Sequence, residues 1–152
     1  MAFHPSNYLK LFSAAYHKGS RRVFITGGRE SNLACSQETW SLEIDQMQSE
    51  EMSEDSIELT PWVQWPDMHD ERESHSSMTF DHQVFVFFGH DGEQFLSTVE
   101  ILDLAQRQGP YRRKANNSWD IIGSELIEPR LETIVSQIDS DRIMILGGVV
   151  EG

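Results

Sequence analysis

Three β-rich apolar runs end at glycine along this chain: "VFITGG" (23–28), "VFVFFG" (84–89) and "IMILGG" (143–148). Gly28, Gly89 and Gly148 stand 61 and 59 residues apart. A second run follows each of the first two, "ETWSLEID" (38–45) and "STVEILD" (97–103), aligned at Thr39 and Thr98. Trp62 and Trp119 come next, 57 apart, then Arg72 and Arg130, 58 apart. Four landmarks in one order at one period define a repeat, and a repeat constrains the fold more than any single motif.

Each unit reads as four short strands, a to d. In the second unit these are Ser76–Phe80, Val84–Phe88, Thr98–Leu102 and Ser118–Ile122. Val84 to Phe88 is apolar throughout, where a half-buried strand would alternate, so strand b is expected to be covered on both faces. Stacking of like sheets supplies that cover. Near the start, Tyr8, Leu11, Phe12, Ala15 and Tyr16 fit a helical stripe, with Ser6 as cap and Gly19 as stop. The repeat instead makes Phe12–Tyr16 strand a of the first unit, and that reading is preferred because "HKGSRR" reads as a hairpin turn.

The motif Arg72-x-x-His75-Ser76-Ser77, "VFVFFGHDG", "STVEILD", "NNSW" and Pro129-Arg130 closely resembles a kelch repeat. The first unit keeps Gly27, Gly28, Trp62 and Arg72, and the third keeps Arg130, Gly147 and Gly148. Two positions depart from the pattern: Phe88 replaces the first glycine of the pair, and Thr133 stands where His75 stands one unit earlier. The resemblance implies an all-β fold, a β-propeller of four-stranded antiparallel blades. Blade one spans about 12–70, blade two about 72–128, and half of blade three about 130–152. Glycine closing strand b admits a neighbouring backbone or a large aromatic, for which the strand-d tryptophan is the expected filler.

About two and a half blades do not close a ring, since propellers use at least about four. The chain is therefore expected to be a fragment, or a unit that self-associates through uncovered blade faces. The leading functional expectation is a non-enzymatic scaffold that binds a protein partner. Alternation puts the b–c and d–a loops on one face, with Arg72, Arg130, His90 and Asp91 as the polar partner-binding candidates. The structural alternative makes the arginines loop anchors and Asp91-Gly92 a plain turn. The opposite end carries an acidic insert (46–61) and a basic one (105–117), which could attract each other across adjacent blades.

Other classes find less support. A net charge of −13 repels phosphate backbones and argues against nucleic acid. No apolar run approaches a membrane span, and "MAFHPSNYLKLF" does not read as a signal peptide. Cys35 is the only cysteine, which suggests a reducing, cytoplasmic setting. His69, His75, His82 and His90 lack a compact metal-ligand spacing, so no metal or other cofactor is expected. The Asn116-Asn117-Ser118 sequon needs a secretory route to matter. The enzymatic alternative is a galactose-oxidase-like fragment, but Tyr8, Tyr16 and Tyr111 do not sit with histidines in a copper-binding pattern.

Overall fold

β-Branched and aromatic residues would mean little without order; here they recur in runs that pair. In a computed structural model, which describes residues 9–44, 62–104, 118–123 and 128–150, all regular structure is β. The first sheet runs β1 (Ser13–His17), β2 (Arg22–Thr26), β3 (Thr39–Glu43) and β4 (Val63–Trp65). The second runs β5 (Ser76–Phe80), β6 (Gln83–Phe87), β7 (Val99–Asp103) and β8 (Trp119–Ile122). Each is a four-stranded antiparallel meander in sequence order. Then β10 (Ile134–Gln137) pairs with β11 (Ile143–Leu146), while β9 (Arg130–Leu131) pairs with β12 (Val149–Val150). Among the described residues no sheet closes on itself, and the arrangement is that of a partial propeller. Among the described residues, no helix is long and apolar enough to cross a membrane.

The preferred strand at the start of the first unit forms as β1, one residue later than expected. Strand c also shifts by one. The Phe88 and Gly27 amides donate to the carbonyls of Thr98 and Glu38, so Thr39 corresponds to Val99 and not to Thr98. Strand d keeps its expected alignment, because Leu102 pairs with Trp119 and the Trp65–Thr39 register places Trp62 beside Leu42.

Strand b of the second unit is covered on both sides, as its composition requires. Val84 and Val86 pack with Phe24, Met68, Leu102 and Trp119, between the first and second sheets. Phe87 and Phe88 pack with Val135, Ile143 and Ile145 of the third unit. Each fully buried side chain of this kind contributes about 1.5–3 kcal/mol. Polar pairs continue the stack between a strands: Ser13 to Ser77 (2.7 Å), and the Ser76 hydroxyl to the Thr133 carbonyl.

The glycine pair recurs as one backbone device. Gly27/Gly28, Phe88/Gly89 and Gly147/Gly148 all have positive φ, near 54–66° and then 98–110°. A Cβ at Gly89 would lie 2.6 Å from the Glu73 carbonyl oxygen and 2.8 Å from the His75 Cβ. The space beside the glycine is thus taken by the d–a backbone and His75. The strand-d tryptophan, expected there, lies elsewhere: Trp119 is buried between sheets and donates to the Pro66 carbonyl at 2.9 Å.

Phe88 adopts the left-handed conformation (φ 59°) that glycine takes in the other units. The reason emerges from the unit that follows each pair. Beside Gly27, a Cβ would come 2.4 Å from the Arg72 carbonyl oxygen and 2.7 Å from the His75 ring. One unit on, the place of His75 is held by Thr133, which is smaller, and Phe88 is fully buried in a cluster that includes Val135, Ile143 and Ile145. The two departures from the repeat fall on either side of one joint, between the second and third units.

Candidate functional site

The b–c and d–a loops converge at one end of the sheets. Their backbones are stitched together by isolated bridges from Arg29 to Lys10 and Cys35, and from His90 to Glu73 and Phe95. The expected grouping of these loops on one face is what the chain path produces.

Beneath them lies a buried ionic cluster. Arg72 is fully buried and reaches the Phe88 carbonyl (2.8 Å), the Thr98 hydroxyl (3.3 Å), Asp70 (3.4 Å) and the Glu100 carboxylate. Glu100, also fully buried, accepts the amides of His69 (2.7 Å) and Asp70 (3.1 Å). Burial presses the Arg72 pKa down, and Glu100 and Asp70 oppose that. Every one of these acceptors belongs to the chain itself. The arrangement ties the d–a loop to strands b and c of the sheet that follows it.

Arg130, one unit later, is set differently. Its Nε donates to the Glu128 carbonyl (3.1 Å), its Nη1 to the Gly147 carbonyl (3.4 Å), and Glu128 stands 3.7 Å from its Nη2. A quarter of the side chain is exposed, and the guanidinium lies 6.0 Å from the Phe88 ring centroid. His90 accepts the Gly92 amide at Nδ1 (2.8 Å) and meets Phe95 edge-on. The Asp91 carboxylate accepts the amides of Glu93 and Gln94, both at 2.8 Å. Partial burial pushes its pKa up, but those amides outweigh this and hold it below the usual range. His90-Asp91-Gly92 therefore forms a turn whose polar atoms already serve the loop.

Sequence reasoning missed Glu100 and the Arg29–Glu73 ion pair, in which Glu73 is buried. For Glu100 a signal existed: an acid between Val99 and Ile101 in an otherwise apolar strand calls for a buried cation. Cys35 lies near the same loops, its thiol 3.7 Å from the His90 carbonyl. Burial, then Glu73, push its pKa up, which keeps it a protonated and weakly reactive thiol.

His75 is buried against Thr26 (2.9 Å). Burial and then the Arg72 cation lower its pKa to about 3, against the Thr26 hydrogen bond. It is a neutral packing residue. Tyr16 is half exposed on the first sheet, whereas Tyr8, Tyr111 and both charged inserts (46–61 and 105–117) lie outside the described residues.

At the opposite end, a cleft of about 630 Å³ opens between the first two sheets, lined by His17, Arg22, Phe24, Trp65, His82 and Leu104. Arg22 is engaged there by Glu43 (2.8 Å), and His17 by Ser20 (2.7 Å) and the Asp81 carbonyl (2.9 Å).

Comparison with known families adds one decisive match: the kelch motif, over residues 71–123. The chain carries a kelch repeat. The matched stretch begins beside Arg72 and ends just after β8, so it coincides with the second kelch blade. Outside the matched residues, the first sheet repeats that blade's strand order, and Gly27/Gly28 repeat the positive-φ conformation of Phe88/Gly89. No curated protein matches the chain.

Proposed function

We propose that this kelch segment is a protein-binding scaffold that acts without catalysis, using the b–c and d–a loops as its contact face. The observation that carries the reading is the locked base of that face. The Arg72–Glu100 and Arg29–Glu73 pairs hold loops from adjacent blades in fixed register, which lowers the ordering cost of binding. Arg130 and His90 are the side chains offered to a partner, Asp91 holds the turn that carries His90, and Arg72 is the anchor beneath them. A partner segment with an acidic side chain suits Arg130, whose guanidinium is part-exposed beside an aromatic ring. The chemistry nearby favours binding over catalysis, because Cys35 is a protonated thiol, His75 is buried and neutral, and Asp91 is occupied by backbone amides.

Peptides selected from a random library against the intact chain provide the test. Arg130→Ala combined with His90→Ala should weaken the selected peptides at least about tenfold. Lys18→Ala with Ser20→Ala, at the opposite end, should leave them unchanged. Peptides indifferent to the first pair and lost with the second would overturn the proposal.

A further inference from the structure

Strand alternation turns Arg22 and Phe24 of β2 toward the second sheet, and the register carries that face across β3 and β4 to Ser41, Glu43 and Trp65. Between this face and the second sheet, at the end away from the b–c and d–a loops, lies the cleft of about 630 Å³. Small-molecule sites typically span about 300–1,000 Å³.

Phe24, Trp65, Pro66 and Leu104 supply its apolar walls. The Phe24 and Trp65 rings stand 5.3 Å apart and are tilted by 59°, a corner against which a third flat ring can pack. Ser41, fully buried, fixes the polar edge of that corner. Its hydroxyl accepts from Trp65 Nε1 at 2.8 Å and from Arg22 Nη1 at 3.1 Å, so both side chains are held in place before any ligand arrives.

Charge selects the kind of ligand. Among the described residues no acidic side chain lines the cleft, yet its basic groups are already answered from just outside it. Arg22 pairs with Glu43 at 2.8 Å, and His82 stands 3.5 Å from Asp81. His17 spends both ring nitrogens inside the chain, on Ser20 and the Asp81 carbonyl. A charged ligand would give up its water among apolar walls and find no unpaired counter-ion. An uncharged ring loses far less. Arg22 gives one donor each to Glu43 and Ser41, which leaves N–H groups for a neutral acceptor.

We propose that this cleft binds a small, flat, uncharged aromatic molecule that carries a hydrogen-bond acceptor, such as an aryl amide. The site is separate from the loop face and does not depend on the scaffold reading.

NMR titration of the intact chain, followed at the Trp65 indole N–H, tests it with phenylacetamide, phenylacetate and phenethylamine. These probes share a ring and differ in charge. Phenylacetamide should shift the Trp65 signal saturably, with a dissociation constant of about 5 mM or tighter. It should bind at least about threefold more tightly than either charged probe. Glu43→Gln leaves Arg22 without its counter-ion, so in that variant phenylacetate should overtake the amide. Trp65→Leu should weaken amide binding at least about tenfold, read from the remaining cleft signals. Where circular dichroism shows that Trp65→Leu loses its fold, Val63→Arg replaces it, crowding the cleft from a position that is 38% exposed. No saturable shift at Trp65 in the parent chain overturns the proposal. Equal binding of the three probes overturns it too, because a merely apolar groove would not discriminate. So does an unchanged order of probes in Glu43→Gln, or amide binding that survives the wall substitution.

Discussion

Replacing Phe88 by glycine would restore the repeat's own preference, yet the structure predicts that it destabilises the fold. Phe88 sits at φ 59°, and relieving a left-handed conformation is worth about 1–2 kcal/mol. Against this, the ring is fully buried, and truncating a buried phenylalanine costs about 3–5 kcal/mol. Glycine also gains unfolded-state entropy, which removes a further fraction of a kcal/mol to about one. The net loss should be about 2–4 kcal/mol, read as a lower midpoint in urea unfolding followed by tryptophan fluorescence. A second substitution sharpens the test. Thr133→Met alone should overpack the site and cost about 1–3 kcal/mol, whereas in the Phe88→Gly background it refills the vacated space. The pair should therefore be coupled by about 0.5–3 kcal/mol in a double-mutant cycle. Phe88→Gly as stable as the parent, or strict additivity of the two changes, would refute the reasoning.

Glu100→Ala should cost about 3–5 kcal/mol, because it leaves the Arg72 cation buried without its main partner; chemical unfolding midpoints check this. Acidification should act through His75. Its imidazole stays neutral in the fold down to about pH 3, while the unfolded chain protonates near 6.5. The unfolded state then takes up the extra proton, so stability is full above 6.5 and falls as the pH drops. Between pH 7.5 and 5 the loss should be about 2 kcal/mol. In His75→Thr, which copies the third unit, that share of the pH dependence should vanish, whatever the variant's stability at neutral pH.

Much of the fold is legible in residue spacing because strand pairing here is local. Ser76–Phe80 forms as read, and the continuous apolar run after it predicts cover on two sides. The one-residue shift of strand c came from the b–c loop, which is a residue shorter in the second unit, a difference the Thr39/Thr98 match concealed. What fills the space beside each glycine was not legible, since His75 and Gly27 meet across 48 residues and only the stacking brings them together. Arg72 illustrates the same limit. Its residue type suggested either an anchor or a binding contact, and only the depth of Glu100 beneath the loops separates the two.

The exchange of Gly27 and His75 for Phe88 and Thr133 makes the units non-interchangeable. A first unit transplanted ahead of the third would bring a glycine where Phe88 packs on Val135, Ile143 and Ile145 and leave a void, and a second unit moved ahead of itself would drive a phenylalanine into His75. Each joint works as its own lock and key, so the order of units along the chain is written into the junctions and not only into the loops that join them.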